Sequence, residues 1–285
     1  MRILLTGATG QIGWELASLL REHDLIAPGR SECDLTDSHS LRAMVREARP
    51  ALIINPAAYT AVDRAESEPG IAHAVNALAP AVLGEEARRL GVPLVHFSTD
   101  YVFNGEATTP YSETAATGPV NVYGQTKLEG EQAIAGSGCV HIILRTSWVY
   151  ARRGKNFLLT IERLARERTD LTVIADHRGT PNWARDLARA AVQIATRERD
   201  ELSARTGVYH LSSGGATTWH GFATAIVRSM HLENPPPVAP INSSEYPTAA
   251  RRPVYSVLDP AKLELAFGLT LPPWQVALAE CQQSQ

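Results

Sequence analysis

Five short apolar runs, each followed by a stretch with helical spacing, fill the first half of the chain and leave few architectures open. The runs are Ile3-Leu4-Leu5, Leu25-Ile26-Ala27, Leu52-Ile53-Ile54, Leu94-Val95-His96-Phe97 and Ile142-Ile143-Leu144. The helical stretches cover 12–22, 38–48, 71–90 and 122–135. Strands this short and this apolar suit burial on both faces, as in a parallel sheet between two helical layers. Alternating strands and helices predict βαβ units, and right-handed crossovers assemble these into a doubly wound α/β fold. After about residue 150 the rhythm changes to helix 156–168, strand 171–174, a polar turn over 176–181, helix 184–198 and a strand at 207–211. The proline-rich, polar segment 234–253 reads as a long loop, and 259–280 as short helical pieces. The expected division is a nucleotide-binding domain over 1–150, joined by the strand near 207–211, and a smaller α+β unit over 151–285 that mainly holds the substrate.

Composition excludes several classes. With 285 residues the chain can bury a large core, and its formal net charge of −3 supplies no global field for nucleic acid or anionic membrane. Cys33, Cys139 and Cys281 are odd in number and form no CxxC pair, so neither a disulfide framework nor a zinc site is expected. The apolar run after Arg2 stops at Thr6-Gly7, too short for a signal peptide, and no apolar stretch reaches the roughly 18 residues of a membrane span. The expectation is a cytoplasmic protein without nucleic-acid or membrane partners. The nine histidines show no metal-ligand spacing, and no metal is expected at a catalytic centre.

Directly after the first strand comes Thr6-Gly7-Ala8-Thr9-Gly10-Gln11-Ile12-Gly13, which opens a helix. Low side-chain bulk lets a pyrophosphate approach the backbone, and the helix N-terminus supplies free N–H groups and a partial positive charge. Gly13 lets the helix pack close to the strand. The strand–loop–helix context is the one a dinucleotide-binding motif requires. After the second strand, where NAD enzymes carry an acidic residue, stands Pro28-Gly29-Arg30-Ser31. Arg30 reads either as a surface arginine or as the partner of the extra phosphate of NADP. Asp34 could accept from an adenine amino group, and Asp37 suits the N-cap of helix 38–48.

Tyr123-Gly124-Gln125-Thr126-Lys127 places a tyrosine and a lysine on one helical face. A neighbouring ammonium is expected to lower the tyrosine's pKa toward the useful range for acid–base catalysis, and the lysine can also hold a ribose. Thr99, in Phe97-Ser98-Thr99-Asp100-Tyr101-Val102-Phe103, falls at the C-terminal end of the fourth strand, the edge where ligands lie in such sheets. From there it could polarise a carbonyl.

On these segments the chain resembles the extended short-chain dehydrogenase/reductases and, within them, the dTDP-4-dehydrorhamnose reductases. Further matching blocks are Ala57 to Glu66, Tyr123 to Glu131, Arg145 to Tyr150, Asn156-Phe157, Gly179-Thr180-Pro181, Thr218-Trp219-His220 and Arg251-Arg252-Pro253. The resemblance implies a Rossmann-type sheet, NADPH with NADH as the other admissible cofactor, a dTDP-sugar substrate and reduction of the C4 keto group of dTDP-4-dehydro-L-rhamnose. It implies Thr99, Tyr123 and Lys127 as the catalytic set. It places Gly7, Gly10, Gln11, Ile12 and Gly13 at the pyrophosphate, Asp34 and Leu35 at the adenine, and Ala58, Tyr59 and Thr60 along the cofactor's ribose and phosphates. Asp100, Tyr101 and Trp148 would touch the deoxysugar, and Asn156 and Arg252 the nucleotide diphosphate. Some relatives form a magnesium-linked homodimer through carboxylates, of which Glu15 matches one, so a homodimer and a structural magnesium stay open.

Each assignment has a plain counterpart. Trp148 also reads as a core tryptophan, Arg252 beside Arg251 as a solvated pair, and His96 and His220 as structural. Pro56 interrupts a small-residue stretch, and Asn182 stands where the family often has threonine. Two other functions compete: another sugar-nucleotide reductase or epimerase, and a non-catalytic regulatory subunit of methionine adenosyltransferase. The latter need not retain an intact Thr-Tyr-Lys set.

Overall fold

All five apolar runs become strands: β1 (Arg2–Leu5), β2 (Asp24–Ile26), β3 (Leu52–Asn55), β4 (Leu94–Thr99) and β5 (His141–Thr146). Between them run α1 (Gln11–Leu19), α2 (Ser38–Ala48), α3 (Val62–Ala65), α4 (Pro69–His73), α5 (Ala79–Leu90) and α6 (Val122–Ser137). The computed structural model describes residues 1–284. The chain continues through β6 (Val149–Tyr150), α7 (Phe157–Glu167), β7 (Leu171–Ile174), β8 (Arg178–Gly179), β9 (Asn182–Trp183), α8 (Ala184–Ala195), α9 (Arg199–Ala204) and β10 (Gly207–His210). It ends with β11 (Thr217–Thr218), α10 (Trp219–Ser229), β12 (Val238–Ile241), α11 (Ala261–Phe267) and α12 (Trp274–Gln283).

Six strands pair in the order β10-β5-β4-β3-β1-β2, every neighbour parallel. The order reverses at β1, between β2 and β3, so the crossovers diverge there and open a crevice at the strands' C-terminal ends. Helices cover both faces. Leu16 and Leu20 join Leu187, Ala191 and Ile194 of α8 against one face. Leu41, Val45, Leu83 and Ala87 of α2 and α5 pack on the other. Each fully buried leucine or isoleucine there contributes roughly 1.5–3 kcal/mol through removal from water. A second core, built from Tyr150, Leu158, Trp183, Phe222, Trp274 and Leu278, holds the later segments together. β3, β4 and β5 are buried at every residue, including the polar Asn55, His96, Thr99 and Arg145. Polar groups buried on a sheet need partners: Asn55 bonds Thr6 and His96, His96 also meets Lys127, Thr99 bonds Asp100, and Arg145 pairs with Glu131 of α6.

Two elements depart from expectation. The segment 234–253 is not all loop: β12 pairs in parallel with β7, Val238 opposite Leu171 through Ile241 opposite Ile174. Pro240 lies inside this strand, which a sheet edge tolerates because the missing N–H costs no ladder bond there. The stretch 71–90 is not one regular helix either. A π-helical turn over Ala74–Leu78 separates α4 from α5. It presents Asn76, whose amide accepts from Tyr59 N at 2.8 Å and donates to Tyr59 O at 3.1 Å. The irregular turn thereby fixes the loop after β3.

Candidate active site

A cleft of about 690 Å³ lies over the C-terminal ends of the central strands. Its floor is the glycine loop. Gly7 has φ +61°, and a Cβ on it would stand 2.8 Å from Ala57. A Cβ on Gly13 would stand 2.0 Å from the Gly7 carbonyl oxygen, so only glycine lets α1 close on the loop. The N-cap of α1 is Gly10, with no side-chain cap. Side-chain caps occur on α2, α6, α7 and α10, from Asp37, Asn121, Asn156 and Thr218, whereas α3, α4, α5, α8, α9, α11 and α12 resemble α1 in having none. What sets α1 apart is that its uncapped first turn lines the cleft, where its N–H groups favour an anion. Gln11 and Ile12 line the same wall. These features fit the pyrophosphate of a dinucleotide.

Farther out, Asp34 Oδ1 accepts from the Thr36 amide and hydroxyl, both at 2.9 Å, which hold its carboxyl below the usual range with a smaller contribution from Arg30. Arg30 is exposed at the end of the β2 loop, and Leu35 is half-buried beside the core on that face. Asp37 caps α2, accepting from His39 N at 2.9 Å and Ser40 N at 3.2 Å.

Thr99 ends β4, and its hydroxyl accepts from Tyr101 N at 3.1 Å while donating to Asp100 Oδ1 at 3.0 Å. Tyr123 and Lys127 face the same cleft from α6. Gly124 makes this possible, because a Cβ there would stand 2.1 Å from the Tyr101 carbonyl oxygen. The Tyr101 ring meets Tyr123 edge-on, with centroids 5.7 Å apart. Burial pushes the Tyr123 hydroxyl up to about 12, opposed by the Thr99 hydroxyl. This corrects the expectation of a lowered value. Lys127 Nζ is turned to the Phe97 carbonyl, 2.6 Å away, and to His96 Nε2 at 3.1 Å, and burial lowers the lysine to about 8. Asp100 is raised to about 7 by burial, with Ser256 and Thr99 opposing.

The sugar-side residues divide. Asp100, Tyr101 and Trp148 line the cleft. Trp148 adopts φ +43°, a strained conformation for a bulky residue, and stacks on Trp219 with centroids 3.6 Å apart and planes at 9°. Asn182 enforces it: its Nδ2 donates to Ser147 O at 2.8 Å and Thr180 O at 2.9 Å, and its Oδ1 accepts from Ser213 N at 2.6 Å. Ala58 and Thr60 line the cleft, but the Tyr59 side chain turns away and donates to Glu68. Asn156 borders the cleft with its amide spent: it caps Leu159 N at 3.1 Å and donates to the Ala151 and Arg153 carbonyls at 2.8 and 3.0 Å. Arg252 forks onto Asp63 at 3.1 and 2.6 Å, outside the cleft lining. In this ligand-free arrangement the Asn156 amide is engaged within its own loop, and Arg252, besides Asp63, reaches the hydroxyl of the cleft-lining Tyr101.

Sequence reading missed Arg153 and Lys155, two cations on the loop facing the glycine loop. Arg153 lies 4.5 Å over the Trp14 ring, and its Nη1 is buried without a partner, as is Gln11 Oε1. Their signal was the basic run Arg152-Arg153-Gly154-Lys155. Trp219 was visible only as part of a matching segment. The Glu15 carboxylate is taken by Arg185 at 3.1 Å, and no group of three or more metal-ligating side chains occurs among the described residues. Among the described residues no helix is long and apolar enough to cross a membrane.

A dinucleotide crevice with a tyrosine and a lysine one helical turn apart defines a short-chain dehydrogenase/reductase, and the second core makes it one of the extended kind. The family model described as RmlD substrate binding domain matches residues 1–285. The dTDP-4-dehydrorhamnose reductase of Burkholderia thailandensis is 47% identical, over 99% of this chain and 98% of its own. That of Escherichia coli K12 is 42% identical, over 98% and 96%. The crystal structure of the Bacillus anthracis dTDP-4-dehydrorhamnose reductase in complex with NADP superposes with a TM-score of 0.93 at 34% identity, covering 100% of this chain and 99% of that one. The chain belongs to the dTDP-4-dehydrorhamnose reductase family.

Proposed function

We propose that the protein reduces the C4 keto group of dTDP-4-dehydro-L-rhamnose with NADPH, or with NADH, to give dTDP-L-rhamnose. The carrying observation is the convergence of Thr99, Tyr123 and Lys127 on the cleft that also holds the glycine loop and the Trp148–Trp219 stack. The name shared by the relatives supports the sugar nucleotide, and the NADP in the Bacillus anthracis structure supports the cofactor. On this reading residues 1–150, with the strand near 207–211, bind the cofactor, and 151–285 mainly hold the sugar nucleotide.

When bound, the dinucleotide supplies the hydride. Gly7, Gly10 and the uncapped first turn of α1 hold its phosphates, with Gln11, Ile12 and Gly13 shaping the wall. Arg153 and Lys155 add positive charge from the opposite side. Asp34 and Leu35 flank the adenine, Ala58, Thr60 and the Tyr59 backbone follow the chain of phosphates and ribose, and Arg30 receives the extra phosphate of NADP. Tyr123, fully protonated at neutral pH because burial raises it, donates its proton to the oxygen at C4. Thr99 polarises the same carbonyl. Lys127 holds the ribose beside Tyr123. Asp100, Tyr101 and the stacked Trp148 form the wall against the deoxysugar, an aromatic face suited to its methyl and C–H side.

The test is cofactor oxidation by the purified protein with dTDP-4-dehydro-L-rhamnose, comparing NADPH with NADH. Oxidation with NADPH supports the reading; no oxidation with either cofactor, together with tight binding to a methionine adenosyltransferase, favours the regulatory-subunit alternative. Loss of NADPH preference in Arg30→Ala supports that arginine's role. Sedimentation velocity reads the homodimer: a species of twice the chain mass supports it, and a single species at the chain mass opposes it. Three buried free cysteines accord with a cytoplasmic location.

A further inference from the structure

Trp148 holds a backbone conformation that its bulk disfavours, and such a conformation persists only where the surroundings over-determine it. Its φ and ψ are set by two peptide planes, one carrying the Ser147 carbonyl and the other its own. A single residue grips both. Asn182 Nδ2 donates to Ser147 O at 2.8 Å, and Asn182 N donates to Trp148 O at 3.2 Å. The same side chain reaches two further segments. Nδ2 donates to Thr180 O at 2.9 Å, one residue past Gly179. Oδ1 accepts from Ser213 N at 2.6 Å, on the segment that leads through β11 to Trp219. The two carbonyls can only accept and the Ser213 N–H can only donate, so the amide fits one way round. Asn182 is fully buried, and these bonds are made out of reach of water.

Gly179 completes the seat. A Cβ there would stand 2.6 Å from Trp148 Cε2 and 2.8 Å from its Nε1, so the edge of the indole lies directly on the Gly179 backbone. Gly179 also pairs with Thr217 where β8 meets β11, two residues before Trp219. The strand that seats one indole is thus hydrogen-bonded to the strand that delivers the other.

We propose that Asn182 and Gly179 set the geometry of the Trp148–Trp219 stack, and through it the cleft's fit to the sugar of the sugar nucleotide. Both tryptophans line the cleft, whereas Asn182 and Gly179 stand behind it. They are therefore positioning residues that act through Trp148. The part of the substrate they govern is an apolar C–H face, because an aromatic wall receives C–H groups and leaves a polar substituent turned toward it without a hydrogen bond. The cofactor's glycine loop lies at the other end of the cleft lining, on α1, and is untouched by either residue. The kinetic consequence rests on the sugar-nucleotide reading given above; the seat of the stack does not.

Two variants test this from opposite sides. Asn182→Asp keeps the shape of the side chain but sets an oxygen against two carbonyls. Gly179→Ala removes no hydrogen bond. The φ of Gly179 lies outside the left-handed region, and the three atoms nearest the added methyl all belong to Trp148, so the ring is what must move. Stacked indoles couple their electronic transitions and give an exciton couplet in circular dichroism. The wild-type protein should show this couplet and Trp219→Ala should lose it. Both Asn182→Asp and Gly179→Ala should weaken it. They should also raise KM for dTDP-4-dehydro-L-rhamnose about threefold to tenfold, the equivalent of an aromatic contact. The kcat and the NADPH dissociation constant should stay within about twofold, since uniform substrate binding is what is lost. A merely structural role would lower the active fraction, and with it kcat, and leave KM in place. A wild type without the couplet overturns the proposal. So does a folded variant in which the couplet is unchanged, or in which it is lost while KM stays. Should Asn182→Asp fail to fold, Gly179→Ala decides. Should the protein reduce no keto-sugar nucleotide, the couplet and its weakening still report on the seat and separate the two failures.

Discussion

Asp100 stands beside Thr99 with Oδ2 buried and unpartnered. Its folded-state pKa of about 7 lies above the ordinary value of 3.8, so the stability it contributes is present at pH 4 and below and is lost as pH rises through 7. Asp100→Asn should therefore flatten the dependence of the unfolding temperature on pH between those limits and raise it at pH 8; a variant whose profile parallels the wild type contradicts the assignment. Tyr123→Phe should cut turnover by about 10²–10⁴-fold, the range of a lost general acid, while fluorescence titration shows NADPH binding little changed. That Tyr123, Lys127 and Thr99 meet in one cleft was legible in the sequence, because a four-residue spacing and a strand end each have one geometric consequence. The present partners of Asn156 and Arg252 were not. A loop asparagine that caps a helix and one that binds a phosphate use the same donor atoms, and only the fold shows that the Asn156 amide is already spent.

Among the elements, α1 illustrates how function is written as an omission. Its N-terminus has no side-chain cap, and its third residue, Gly13, touches the loop it extends. Gly13→Ala should weaken NADPH binding at least about tenfold and cost on the order of 1–3 kcal/mol in urea unfolding, as overpacking does; unchanged binding by titration calorimetry would remove the close approach from the account. The apolar runs announced the strands of the main sheet because parallel strands buried on both faces leave no room for polar alternation. β12 escaped because its signal is half-exposed and interrupted by Pro240. The π turn escaped because its residues have ordinary helical propensities, and the reason for the extra residue, the reach of Asn76 to the Tyr59 backbone, is tertiary.

At the scale of the whole molecule, a buried ion pair fastens the catalytic helix to the sheet. Arg145 of β5 and Glu131 of α6 share two hydrogen bonds at 5% and 4% side-chain exposure. Glu131→Gln leaves the guanidinium without its counter-charge and should cost roughly 3–5 kcal/mol of stability, read by denaturant unfolding. The Trp148–Trp219 stack joins the strand side of the cleft to α10 of the second core. Trp219→Ala should raise KM for the sugar nucleotide and leave NADPH binding unchanged. The central claim is that hydride reaches C4 of a keto-sugar nucleotide held over this sheet. It is tested most directly by supplying NADPH deuterated at the transferable position together with dTDP-4-dehydro-L-rhamnose, and locating the label by NMR of the product. The account predicts dTDP-L-rhamnose carrying one deuterium at C4. A product without deuterium at C4, or a sugar merely epimerised with the cofactor unconsumed, would contradict it.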